Sequence, residues 1–137
     1  MGKKVLIVSD GTASTQIMVQ RLVNSLTGAA VTIRSAADFL ATDLLAAEGY
    51  FLGCESPYPV SFASFERVLG HINLVGRPCG IFSPVQEKAL EYLARIVFDS
   101  ELALYPVPFF GDSAEDIAQW VNSVLAYNGS GTVLREV

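Results

Sequence analysis

Residues 3–28 read KKVLIVSDGTASTQIMVQRLVNSLTG, and the pattern within them changes twice. Val5-Leu-Ile-Val8 is an unbroken apolar run with β-branched members, as expected of a strand covered on both faces in a parallel sheet. Ser9 to Ser14 is polar and contains a glycine, so it reads as a loop. From Thr15 onward Ile17, Met18, Leu22, Val23 and Leu26 recur at helical spacing, and Thr27-Gly28 is a stop signal. Strand, loop and helix in this order begin a crossover unit of an α/β fold.

The unit repeats along the chain. Val31 to Ser35 alternates and reads as a more exposed strand, after which Asp38 or Thr42 can cap a short helix ending near Gly49. Tyr50-Phe-Leu-Gly-Cys54 is the third strand, and the prolines of Glu55-Ser-Pro-Tyr-Pro59 make the next segment a loop. Ser61 opens a helix with Phe62, Phe65, Val68, Leu69 and Ile72 on its apolar side. Arg77 to Phe82 is the fourth strand. A turn at Ser83-Pro84 leads to a helix in which Val85, Ala89, Leu93, Ile96 and Val97 share a stripe. Leu102 to Phe110 is a fifth apolar run in which Pro106 and Pro108 imply an edge strand or an irregular exit. Ser113 to Tyr127 is the last helix, with Ser113 and Asp116 as an acidic variant of the capping box. One domain over residues 1–127 and a flexible glycine-rich tail over 128–137 are expected. The fold class is α/β, a three-layer sandwich around a five-stranded parallel sheet with right-handed crossovers. Ligands of such sheets sit beyond the carboxyl ends of the strands, here the loops Ser9 to Thr15, Glu55 to Ser61 and Phe82 to Val85.

Composition narrows the partners. The chain of 137 residues is 51% hydrophobic and 17% charged, which suits one packed domain and excludes disorder. Nine basic against fourteen acidic residues give a net charge of -5, which argues against nucleic acid or an anionic membrane as partner and for a basic one. Lys3-Lys4 precedes only four apolar residues before Ser9-Asp10-Gly11, too few for a secretory segment, so a cytoplasmic protein is expected. The uncharged stretch from Ile117 to Leu134 contains Gln119, Asn122 and Asn128-Gly-Ser-Gly-Thr132 and does not read as a membrane span.

Four segments resemble the flavodoxin family. IVSDGTASTQ lies where the family has a phosphate loop of the form T-x-T-G-N-T, with Thr12-Ala13-Ser14-Thr15 over T-G-N-T. YFLGC followed by Glu55-Ser56-Pro57-Tyr58 is similar to the third strand and the start of its flavin-flanking loop. GRPCGIF resembles the fourth strand, and DSAEDIAQWV the closing helix that often carries a tryptophan. The resemblance implies the strand order 2-1-3-4-5, a short-chain member, an FMN cofactor, and electron transfer to a redox partner protein by a carrier that is not itself a catalyst. It assigns the phosphate to Asp10, Gly11, Thr12, Ala13, Ser14 and Thr15, and the flavin ring to Glu55, Ser56, Pro57, Tyr58, Phe82 and Ser83. The sequence departs from the family at Ala13, where a glycine is usual, and after Phe82, where only Ser83 to Gln86 stand in place of a long flavin loop.

The residues themselves leave two readings of each feature. A loop feeding a helix presents free amides and hydroxyls to an anion, or Asp10, Thr12 or Ser14 simply caps the helix. Tyr58 is a ring face or a tyrosine packed over its loop. Glu55 steers partners and tunes a flavin, or is merely solvated. The whole chain is an FMN electron carrier or a flavodoxin-like binding module that has lost its cofactor. A phosphoacceptor receiver would need further acidic residues and a lysine where Cys54 and Tyr105 stand, and a small phosphatase would need a cysteine in the first loop. Cys54 and Cys79 read as buried thiols, and His71 as a surface residue with no metal-binding pattern around it.

Overall fold

The computed structural model describes residues 3–111 and 116–127. The elements follow in the order β1 Lys4–Ser9, α1 Ala13–Ser25, β2 Ala30–Ser35, α2 Ala41–Ala46, β3 Gly49–Gly53, α3 Ala63–Leu69, β4 Pro78–Ser83, α4 Glu87–Ser100, β5 Ala103–Leu104, β6 Phe109–Phe110 and α5 Ile117–Ala126. The sheet is parallel, as the apolar runs imply, and runs β2-β1-β3-β4-β5, the order the resemblance implies, with β6 also pairing β4.

Alternation along the central strands feeds two cores. Val5, Ile7, Phe51 and Phe82 face α1 and α5, where Met18, Val19, Leu22, Trp120, Val121 and Val124 meet them. Leu6, Val8, Tyr50, Leu52, Cys79 and Ile81 face the other helical layer, with Leu44 of α2, Phe65 of α3 and Leu93 and Val97 of α4. Strands buried on both sides are why these runs contain almost no polar residue. Gly80 lacks a side chain for a steric reason: a β-carbon there would stand 2.9 Å from Val124 Cγ2 and 3.0 Å from Trp120 Cη2.

Several boundaries differ from the expected ones. Helix α1 starts at Ala13, and its buried stripe is Thr15, Met18, Val19 and Leu22, leaving Ile17 66% exposed. A 3-10 turn at Val60–Phe62 precedes α3, which ends at Leu69. Helix α4 starts at Glu87, so Val85 lies in the loop and is 53% exposed rather than part of the stripe. The fifth strand position is split. Pro78↔Ala103 and Cys79↔Leu104 pair at one end of β4, and Phe82↔Phe109 and Ser83↔Phe110 at the other. Tyr105 to Pro108 thus stand opposite Gly80 and Ile81 and arch out as a bulge. Trp120 Nε1 donates to Val107 O at 2.6 Å across this bulge. Helix α5 has Asp116 as its N-cap, whose side chain accepts from Ala118 N. Ser113 of the expected capping box and the expected tail over 128–137 lie outside the described residues. Among the described residues no helix is long and apolar enough to cross a membrane.

Candidate functional site

The carboxyl ends of β1, β3 and β4 bring the first and second of the three expected loops together. Gly11 turns the chain between β1 and α1 with a positive φ of 80° and has nothing within 4 Å of the position of a β-carbon. Thr12 then occupies the N-cap position of α1 in extended backbone, yet its side chain makes no capping bond. Its hydroxyl instead lies 3.0 Å from Asp10 Oδ1 and 2.8 Å from Thr15 Oγ1. Thr12 itself therefore does not cap α1, while Asp10 accepts from the Thr12 amide at 3.2 Å. Among the described residues the amides of Ala13, Ser14 and Thr15 have no protein partner, the usual state of a first helical turn.

Asp10 holds the cluster. Its Oδ1 accepts from Thr12 N at 3.2 Å, and its Oδ2 accepts from Glu55 N at 2.7 Å, tying the loop after β1 to the loop after β3. Ser14 Oγ donates to Glu55 Oε1 at 3.0 Å and closes a second link between the same loops. Ser9, buried at the end of β1, accepts from Gly11 N at 3.3 Å and donates to Gln16 Oε1 at 3.3 Å. Thr15 is fully buried, so its hydroxyl supports Thr12 from below and meets no solvent. Ser9 and Gln16 belong to this network and were not singled out by sequence. Their signal was their place at the two ends of the loop.

The loop after β3 turns on Ser56, whose Oγ accepts from Tyr58 N at 3.1 Å and whose carbonyl accepts from the Cys54 thiol at 3.3 Å. Burial, and secondarily the charge of Asp10, pushes the Cys54 thiol up to about 12. That thiol is a structural donor and not a nucleophile. Tyr58 is 84% exposed, so it does not pack over its loop. With Pro57 it forms one side of a cavity of about 370 Å³ whose other side is Lys88, Glu91, Tyr92 and Arg95 of α4. Burial, then a hydrogen bond to Glu66, raises the Tyr92 phenol, and the Arg95 guanidinium lies 5.3 Å over its ring. The spacing of residues 88, 91, 92 and 95 on one helical face was the available sign of this wall.

At the end of β4, Phe82 and Ser83 offer nothing open to a ligand ring, while Val85 in the following loop is exposed. Phe82 is 1% exposed and packs into the core with Phe51, Phe109 and Trp120, and Ser83 is fully buried. Phe82 lies across Gly53, where a β-carbon would stand 2.1 Å from Phe82 Cε2. The expectation that Phe82 and Ser83 flank a ring is corrected: strand alternation turns Phe82 inward beneath α1 and α5. Only Pro84 to Gln86 connect β4 to α4.

As a test of fit, the donor chemistry suits a phosphate at the head of α1. The amides of Ala13 and Ser14 have no protein partner among the described residues, Gly11 leaves open space, and the helix dipole favours an anion. The charge beside it does not help, because Asp10 and Glu55 are the nearest ionic groups in the network and no lysine or arginine hydrogen-bonds to it among the described residues.

No protein-family model and no curated protein sequence matches the chain. Solved structures do. A short-chain flavodoxin associated with a non-canonical PDU bacterial microcompartment aligns with a TM-score of 0.75 at 12% identity, over 90% of this chain and 97% of that one. The Streptococcus pneumonia TIGR4 flavodoxin aligns with a TM-score of 0.73 at 17% identity, over 90% and 97%. Flavodoxin 2 from Bacillus cereus aligns with a TM-score of 0.69 at 15% identity, over 88% and 97%. At such identities the likeness is one of fold, and the fold is flavodoxin-like.

Proposed function

We propose that this flavodoxin-like chain binds FMN and serves as an electron carrier to a partner protein. The observation that carries the reading is the pair of amides of Ala13 and Ser14, which have no protein partner among the described residues, at the head of α1 and the carboxyl end of the sheet. FMN bound there would supply one- and two-electron redox chemistry. These amides would hold the phosphate, and Gly11 would allow its close approach. Pro57 and Tyr58 would offer the ring an apolar face, worth on the order of 1 kcal/mol beyond its burial. The role of these residues would be to bind and orient the flavin, which carries the redox chemistry. With a net charge of -5, a partner with a basic docking face fits this role.

A second reading has its own observation. Asp10 and Glu55 already satisfy Thr12 N, Glu55 N and the Ser14 hydroxyl, so the two loops are joined without any ligand. A chain so organised can act as a cofactor-free binding module. One titration separates the two. Purified protein added to FMN is expected to quench flavin fluorescence and shift the visible spectrum. No change at a protein concentration roughly a hundredfold above a micromolar dissociation constant would reject the carrier.

A further inference from the structure

We infer that Asp10 and Glu55 cancel the phosphate's usual contribution to flavin binding, so that this chain holds FMN no more tightly than the phosphate-free riboflavin. The inference rests on the flavin reading above and concerns which flavin the site selects.

The accounting is residue by residue. A phosphate entering the loop after β1 would draw on the amides of residues 11–15 and the hydroxyls of Thr12, Ser14 and Thr15. Gly11 N is given to Ser9 Oγ, Thr12 N to Asp10 Oδ1, and the Ser14 hydroxyl to Glu55 Oε1. Thr12 Oγ1 is shared between Asp10 and Thr15, and Thr15 is buried. What is left to an incoming phosphate is the amides of Ala13 and Ser14, since Thr15 is fully buried, and about half a positive charge from the helix dipole. Against that stand two carboxylates in the same network. One accepts from the amide immediately before those two, and the other from the Ser14 hydroxyl.

Both carboxylates also do the phosphate's structural work. Asp10 Oδ2 at 2.7 Å from Glu55 N and Glu55 Oε1 at 3.0 Å from Ser14 Oγ hold the loops after β1 and β3 together in the absence of ligand. A phosphate must therefore use the amides these bonds leave and sit beside both carboxylates. The ring and ribityl chain carry no such charge, so the two carboxylates do not repel them as they repel a phosphate.

The test is a two-by-two titration of riboflavin and FMN, read by flavin fluorescence at one ionic strength, on the wild-type chain and on Asp10→Asn, Glu55→Gln and the double variant. Glu55→Gln keeps an oxygen acceptor for Ser14 and removes the charge with the least change in shape, whereas Asp10→Asn keeps an acceptor for only one of Thr12 N and Glu55 N and sets its NH2 against the other. Circular dichroism melts identify any variant that fails to fold, and the single variants carry the test if the double one does. In the wild type the two dissociation constants are expected to agree within about threefold. In the variants the preference for FMN over riboflavin is expected to rise about tenfold or more. A wild-type preference for FMN of tenfold or more would overturn the inference while leaving the carrier reading intact. So would a ratio unmoved in every folded variant. If neither flavin binds the wild type or any folded variant, the inference and the carrier reading fall together.

Discussion

Gly53 has room for a hydrogen and nothing larger, because the buried ring of Phe82 crosses it. Gly53→Ala forces a contact of 2.1 Å on a ring that cannot turn away and is expected to cost about 3 kcal/mol in urea unfolding. Gly80→Ala, with its nearest contact at 2.9 Å, is expected to cost less, about 1–2 kcal/mol. Cys54 gives a pH signature. Its thiol is held protonated up to about 12 by burial and by Asp10, against an ordinary value of 9.0. Below pH 9.0 the folded and unfolded chains both keep the proton, and stability does not depend on it. As pH rises from 9.0 toward 12 the unfolded chain ionises first, so the folded state loses stability over that window. Urea midpoints are expected to fall there, and less so in Cys54→Ala. The burial of both cysteines was legible from their places on apolar strands. The role of Asp10 was not, because a carboxylate in a polar loop has the same sequence pattern whether it greets a ligand or an amide two loops away.

Elements were legible where both faces of a strand are buried, as in Val5 to Val8 and Tyr50 to Gly53, since a continuous apolar run admits few other interpretations. Helix α1 shows the limit. Its stripe includes the polar Thr15, whose hydroxyl is satisfied by Thr12, while the apolar Ile17 points to solvent. The fifth strand position shows another. Pro106 and Pro108 signalled irregularity, but only the pairing of Ala103–Leu104 and Phe109–Phe110 with the two ends of β4 reveals a bulge and not a frayed edge. That bulge is held by Trp120, whose indole donates to Val107 O and packs at 5.5 Å from Phe51 and 5.3 Å from Phe109 between ring centroids. Trp120→Phe keeps an aromatic body but loses the donor and some volume. A loss of about 2–3 kcal/mol is expected in thermal or urea unfolding, part of it from the carbonyl left without its partner.

Across the whole molecule, charge and function meet at the carboxyl end of the sheet. A chain of net charge -5 with two carboxylates in its candidate phosphate loop repels a dianion, so added salt is expected to tighten FMN binding and leave riboflavin unchanged. A site built on basic side chains would show the opposite trend, and isothermal titration at low and high salt distinguishes them. Fold class could be read from the chain because it follows from periodicity, and strand order from the resemblance of four segments to the flavodoxin family. The state of the site could not, because it depends on which of several hydrogen-bonding groups across three loops finds which. The seat for Trp120 and Val124 over Gly80 also bears on how the protein is made. Strands β1 to β4 are complete by Ser83, yet the face carrying Phe51, Gly80 and Phe82 has no indole to close it until residue 120 has been synthesised. A nascent chain stalled before that point would present this aromatic surface to solvent and to chaperones, and release of the last helix from the ribosome would be the event that seals it.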